Sequence, residues 1–141
     1  MGISKGSAQW NGGFKDGKGL MKPGHAAEVL FSVGTRFEGQ QGSNPEELIG
    51  AALSGCFSMA LSVGLEKAGL KPTRIQTNAD VHLDKQGDGF AITTIDLVTE
   101  ATIPGANDAQ FQKIAEETKK GCPVSKALGG VNITLKAKLA T

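Results

Sequence analysis

The longest run without a charged side chain lies between Leu48 and Leu65, inside a stretch that reads as one helix. Asn44 suits the N-cap and Pro45 the first helical position. Glu46 and Glu47 place negative charge at the positive end of the helix dipole, Lys67 falls in the last turn, and Gly69 suits the residue just beyond it. From Glu46 to Ala68 such a helix runs about 34 Å. With Asn44 as cap, Glu47 stands at the third helical position and is expected to close a capping box, which leaves Glu46 without a local role. A helix apolar all round is one buried in a core. The run is also long enough to read as a marginal membrane span, but its glycines and serines, and the soluble character of the rest of the chain, favour the core helix. Gly50, Ser54, Ser58 and Ser62 recur every four residues and form a small-residue stripe that lets another helix or a sheet approach closely. Ile49, Leu53, Cys56, Met59, Ala60 and Val63 make the larger face.

Before this helix the pattern is of strands and turns. Residues 7–10 and 18–22 are short strand candidates flanking Asn11-Gly12-Gly13 and Asp16-Gly17, and residues 27–33 form a third. Residues 34–43 read as a loop leading into the helix. After it, Ile75, Thr77, Ala79, Val81 and Leu83 alternate with Gln76, Asn78, Asp80 and His82, a half-buried strand over residues 74–83. A turn over 84–89 returns the chain through a long strand at 90–103, forming a hairpin. Asn107 or Asp108 opens a second helix to about residue 120, with Phe111, Ile114, Ala115 and Thr118 on its apolar face. Cys122-Pro123-Val124-Ser125 starts a short third helix, Gly129-Gly130 breaks it, and Val131, Ile133, Leu135, Ala137 and Leu139 alternate as a last strand. The order is βββ-α-ββ-αα-β. Hairpins dominate and no βαβ repeat is visible, which predicts an α+β fold with antiparallel sheets around a long buried central helix.

Composition narrows the picture. With 141 residues, and no linker or repeat, residues 1–141 read as a single domain. A fully buried helix is a large demand on so small a sheet, and a homodimer covering the helix from both sides would meet it. Fifteen basic and fourteen acidic residues are interspersed, giving a net charge of +1 and no footprint for nucleic acid or an acidic membrane. The N-terminus is polar and carries no apolar signal-peptide core, so the expected location is the cytosol. Two cysteines there are either buried free thiols or redox chemistry.

Cys56 lies amid Ala52, Leu53, Met59 and Ala60, neighbours that raise a thiol pKa by desolvation. It reads as a small apolar core residue unless a cation is brought to it, because an ordinary thiol is only about 3% thiolate at pH 7. The local helix supplies no such cation. Cys122 stands where one helix ends and another begins; it either replaces a capping serine or uses the backbone N–H groups there to favour a thiolate. The cysteines are 66 positions apart (122 − 56), not a thioredoxin-type pair, and His25 and His82 are distant from both, so a metal site is disfavoured. Arg36 is either a solvated loop charge or a functional residue, and Glu46 either complements the helix dipole or has a functional role of its own.

Three segments in order, TRFEG (35–39), NPEELIGAALSGCFSMAL (44–61) and GCPVS (121–125), resemble the OsmC family of osmotically inducible and organic-hydroperoxide-resistance proteins. The flanking elements fit that family from Lys5 to Leu139, and Arg36 just before the long helix looks like the osmotically inducible branch. The resemblance implies an intertwined homodimer and a thiol peroxidase acting on organic hydroperoxides, with no resident cofactor. It carries Cys56 over as the attacking thiol, Cys122 as the resolving thiol, Arg36 as the activating guanidinium and Glu46 as its carboxylate partner. It also implies an external dithiol reductant, a dihydrolipoyl group or a small dithiol. Leu53, Phe57 and Met59, around Cys56, are then expected to contact the alkyl group of the peroxide. The rival readings are a non-catalytic dimer that binds a small apolar ligand and a redox sensor whose disulfide signals to a partner.

Overall fold

The computed structural model describes residues 2–141, in two compact units, 2–48 and 49–141. The first holds β1 (Gly6–Asn11), β2 (Lys18–Pro23), β3 (Val29–Phe31) and the five-residue helix α1 (Val33–Phe37), and the long helix α2 (Pro45–Lys67) begins in it. The three strands form an antiparallel sheet in the order β1-β2-β3. The expected third strand is thus cut to three residues, and part of the expected loop is helical. The reason is local. Ser32 accepts from the Thr35 backbone N–H at 3.2 Å, while the Thr35 hydroxyl accepts from the Ser32 N–H at 2.8 Å, a complete capping box that starts a helix where alternation alone suggests a strand running on.

At the start of α2, Asn44 Oδ1 accepts from the Glu47 N–H at 2.8 Å, as its capping role requires. The other half of the expected box is not made: the Glu47 carboxylate takes the Ser43 hydroxyl instead, at 2.8 Å. The far end closes as expected. Gly69 has φ +78°, its N–H bonds to the Glu66 carbonyl and that of Leu70 to the Leu65 carbonyl, the paired C-terminal bonds that a left-handed glycine permits.

The second unit holds the rest of α2, β4 (Arg74–Gln86), β5 (Gly89–Thr102), α3 (Asp108–Gly121), α4 (Pro123–Ala127) and β6 (Asn132–Ala140). Strands β4 and β5 form the expected hairpin, closed by a two-residue turn at Gly87-Asp88. Strand β6, however, pairs with β5 in parallel, from Thr94↔Asn132 to Thr102↔Ala140. The wholly antiparallel expectation is therefore wrong for this sheet, whose order is β4-β5-β6. Helices α3 and α4 carry the chain from the end of β5 back to the start of β6, and a helical crossover of that length delivers a strand in the same direction as the one it left.

The core of this unit is built on Leu53, Phe57, Leu61 and Leu65 of α2, all fully buried and spaced every four residues, against Ile95, Leu97, Ala101, Phe111 and Ala115. By length and composition alone α2 passes for a membrane span. Its buried stripe, though, packs on a sheet of the same unit. Gly50 and Ser58 of the small-residue stripe also face that sheet. A Cβ on Gly50 would stand 3.1 Å from Val81 Cγ2, and Ser58 Oγ shares a 2.7 Å hydrogen bond with Thr77 Oγ1, which meets Thr99 Oγ1 at 2.9 Å. The helix is not buried all round. Met59 and Val63 are exposed, 71% and 48%, and with Ala52 and Gly55 they leave an apolar face uncovered in the single chain.

Candidate active site

Two constellations carry chemistry. The first is in the N-terminal unit. Helix α1 presents Arg36 to Glu46 in the first turn of α2. The guanidinium Nε donates to Glu46 Oε1 at 3.0 Å and to Oε2 at 3.2 Å, and Nη2 also donates to Oε1. Glu46 is buried, and Arg36 is about one third exposed along its side chain. Its carbon Cζ lies 5.5 Å from the centroid of the Phe37 ring, a cation–π contact. A carboxylate engaged through both oxygens fixes the plane of the guanidinium. The Nη1 group makes no hydrogen bond to a described residue, so a guanidinium held rigidly keeps donors to offer. This gives Glu46 the role its position lacked in local terms.

The second constellation is in the C-terminal unit. Cys56 lies at mid-helix in α2, and Cys122 both ends α3 and caps α4, where Pro123 takes the first position. The fold brings the two sulfurs to 2.8 Å from 66 positions apart in sequence. Both are free thiols. A disulfide is about 2.05 Å long, so less than 1 Å of closure joins them. Cys122 is fully buried and Cys56 half-buried, so Cys56 is the more accessible residue of the pair.

The electrostatics of the pair are unequal. Burial raises the Cys56 thiol, contact with the Cys122 sulfur raises it further, and the Val124 N–H offsets this only in part. Burial also opposes ionisation of Cys122, but the Cys56 thiol, the Ser125 N–H and hydroxyl and the Val124 N–H together outweigh it and hold that thiol below its ordinary range. The second reading of Cys122, backbone groups favouring a thiolate, is thus the one this geometry supports. Within one unit the anion is favoured on the buried sulfur, while the accessible sulfur lacks a cation, as the helix sequence implies.

Ser125 escapes a reading confined to the cysteines. Its hydroxyl is buried, without a well-formed hydrogen bond to another described residue, and it stabilises the anion of Cys122 three positions earlier. A serine at the third position after a cysteine that caps a helix is the signal that would find it. In a Cys56→Ser background, where Cys122 is the single remaining thiol, thiolate absorbance followed against pH should move to higher pH when Ser125→Ala is added. An unchanged titration would deny Ser125 this role. Among the described residues, no group of three or more His, Cys, Asp and Glu side chains is placed to hold a metal ion. His82 instead meets Asp96 Oδ2 at 2.7 Å on the exposed sheet face, and Thr134 and His82 hold the Asp96 carboxyl below its usual range.

Two of the three residues expected to contact an alkyl group are ruled out. Leu53 and Phe57 are fully buried in the core, because the stripe at every fourth residue faces the sheet; only Met59 is open.

Comparison with known proteins places this geometry. Residues 38–136 match the family model described as OsmC-like protein. Peroxiredoxin OsmC of Escherichia coli is 51% identical over 126 residues, 88% of each chain. An organic hydroperoxide resistance protein of Xanthomonas axonopodis is 29% identical over 99 residues, 69% of this chain and 68% of that one. Among solved structures, an OsmC-like protein from Mycoplasma pneumoniae superposes with a TM-score of 0.80 over 99% of both chains at 14% identity, a likeness of fold. The segments around Arg36, Glu46, Cys56 and Cys122, the paired sulfurs and the match along most of the chain agree: this protein belongs to the OsmC family.

Proposed function

We propose that this protein is a cysteine-based peroxidase that reduces organic hydroperoxides to alcohols, and hydrogen peroxide less well, in defence against oxidative and osmotic stress. The observation that carries the reading is the meeting of an accessible and a buried thiol at 2.8 Å in a chain half-identical to a peroxiredoxin. The Cys56 thiolate attacks one peroxide oxygen, the O–O bond breaks, and the alkoxide leaves and takes a proton. Cys56 is then a sulfenic acid. Cys122, already inclined to the anion, attacks the Cys56 sulfur and expels hydroxide, which leaves as water once protonated, and a disulfide forms before further oxidation. An external dithiol, a dihydrolipoyl group or a small molecule, returns both thiols by exchange. Such chemistry suits a reducing compartment, the cytoplasm.

The accessible thiol needs a cation, and the rigid Arg36 guanidinium is the group suited to supply it. It also stabilises the alkoxide as the O–O bond parts. Glu46 and Cys56 are ten residues apart on one continuous helix (56 − 46), about 15 Å along its axis. An arginine clamped on Glu46 does not span that rise to its own chain's Cys56. We therefore assign it to the Cys56 of a second copy, in a two-fold homodimer. Gly50 and Ser58 of the small-residue stripe pack on the chain's own sheet, and the exposed face offered to that second copy is the one bearing Ala52, Gly55, Met59 and Val63.

The reading is tested by turnover. With cumene hydroperoxide and excess dithiothreitol, catalytic loss of peroxide is expected, with a larger specificity constant than for hydrogen peroxide. No consumption would leave a ligand-binding protein, and a single stoichiometric reaction without turnover would leave a redox sensor.

A further inference from the structure

The two cysteines differ in how they are held as well as in access. Cys122 is pinned through its backbone. Its N–H donates to the Thr118 carbonyl at 2.9 Å, and its carbonyl accepts from the Lys126 N–H at 3.0 Å. It belongs to the same buried cluster as Phe57 and Phe111, and no part of it is exposed. Cys56 is half-buried in the middle of α2, beside the exposed Ala52, Gly55 and Met59. A groove of about 370 Å³ between α2 and α3 has Cys122 in its wall, with Ala60, Gly64 and Ile114, yet it leaves that cysteine covered.

Ser125 faces the pair from α4. The residue is 8% exposed, and its hydroxyl is the one buried side-chain oxygen or nitrogen among the described residues without a well-formed hydrogen bond. A buried hydroxyl with no partner destabilises a fold unless some state of the molecule uses it. A thiolate at Cys122 is such a state. The Val124 N–H acts on both sulfurs, whereas the N–H and the hydroxyl of Ser125 act on Cys122 alone. The donors that distinguish the two cysteines therefore all come from Ser125.

We propose that these contacts set the direction of the reducing half of the cycle: the external thiolate takes the Cys56 sulfur, Cys122 is the leaving group, and the Ser125 hydroxyl receives the departing thiolate. The inference rests on the peroxidase reading and deepens it. One thiol of the reductant gives its proton to solvent, and its sulfur attacks Cys56 Sγ. The Cys56–Cys122 bond breaks, its electron pair stays on Cys122 Sγ, and the reductant is joined to Cys56 as a mixed disulfide. The second thiol of the reductant, deprotonated in turn, attacks the reductant's own sulfur, closes a cyclic disulfide and expels Cys56 as a thiolate. Each cysteine then takes up a proton. Two considerations fix the sense. A thiolate attacks a disulfide in line, so one aimed at Cys122 would have to enter through the core on the side away from Cys56. Exchange is also faster when the departing thiol is the more acidic of the two.

The test starts from the disulfide, formed with diamide so that no peroxide is needed. The oxidised wild-type protein meets a monothiol, 2-mercaptoethanol, which cannot close a ring and so stops at the mixed disulfide. After an acid quench, free thiols are capped with N-ethylmaleimide in denaturant, and the peptides are weighed. The monothiol is expected on Cys56 and the maleimide on Cys122. A monothiol found mainly on Cys122, or equally on both, would overturn the proposal and point to entry through the groove between α2 and α3. In Ser125→Ala, reduction of the diamide-formed disulfide should slow by roughly threefold for each tenfold loss of Cys122 acidity. Ser125→Thr, which keeps the hydroxyl, should restore most of the rate. An unchanged rate in Ser125→Ala, or a loss that Ser125→Thr leaves in place, would overturn the part given to Ser125. Both measurements can be made on a protein that consumes no peroxide, so failure of the peroxidase reading and failure of this proposal are told apart.

Discussion

Cys56→Ser should lose peroxide consumption by on the order of 10⁴-fold or more, the scale seen when a covalent nucleophile is removed from other enzymes. Cys122→Ser should behave differently. Its Cys56 still meets peroxide, reacts once, and stays a sulfenic acid open to further oxidation, because no second thiol is there to condense with it. Access motivates this order: Cys56 is the half-buried residue and Cys122 the fully buried one. The proton affinities of the isolated pair point the other way, with the anion favoured on Cys122. That preference suits the second step, in which Cys122 must be the nucleophile. In the proposed mechanism the first step calls for a guanidinium brought to Cys56. Mass spectrometry after one equivalent of cumene hydroperoxide separates the two variants. A protein that keeps only Cys122 and consumes peroxide at the wild-type rate would reverse the assignment.

Arg36→Ala should cost about 10²- to 10³-fold in kcat/KM, the usual cost of deleting a donor aimed at a developing oxyanion. The more telling result is recovery of activity between two dead proteins. Arg36→Ala and Cys56→Ala homodimers should each be nearly inactive. Unfolded and refolded together in equal amounts, they should give about a quarter of wild-type activity, since half the dimers are mixed and each mixed dimer has one complete site. No recovery, with mixed dimers confirmed by mass, would mean that the guanidinium acts on its own chain's thiol or not at all. Glu46→Gln in place of Arg36→Ala should complement in the same way if the carboxylate acts, as proposed, by holding the guanidinium.

The long helix was legible because its ends are local: Asn44, Pro45, Gly69 and the bond pattern that follows from them need no knowledge of the rest of the chain. Which face it buries was not legible, since a helix apolar all round has no moment to read. The choice of Leu53, Phe57, Leu61 and Leu65 is made by the sheet beneath them. The direction of β6 was likewise hidden. Alternation shows that 131–139 is a strand but not which way it runs, and the information lies in the length of the crossover through α3 and α4. Helix α1 was missed because five residues are too few to establish a period, although Ser32 and Thr35 carry its start. At the site, the cysteines and the Arg36–Glu46 pair were accessible through the family resemblance. Ser125 was not, as its part depends on a contact that no motif spells out.

The sulfur pair has a consequence for the whole unit. A bond between Cys56 and Cys122 would close a ring of 66 positions that contains the β4–β5 hairpin and all of α3. Tying the ends of so long a loop removes chain entropy from the unfolded ensemble, about 4 kcal/mol in the chain-entropy account. If the proposed cycle passes through that bond, it alternates between two forms of different durability. The oxidised one outlasts the reduced one, so an enzyme waiting for its reductant is at its most resistant to unfolding while it can do no work.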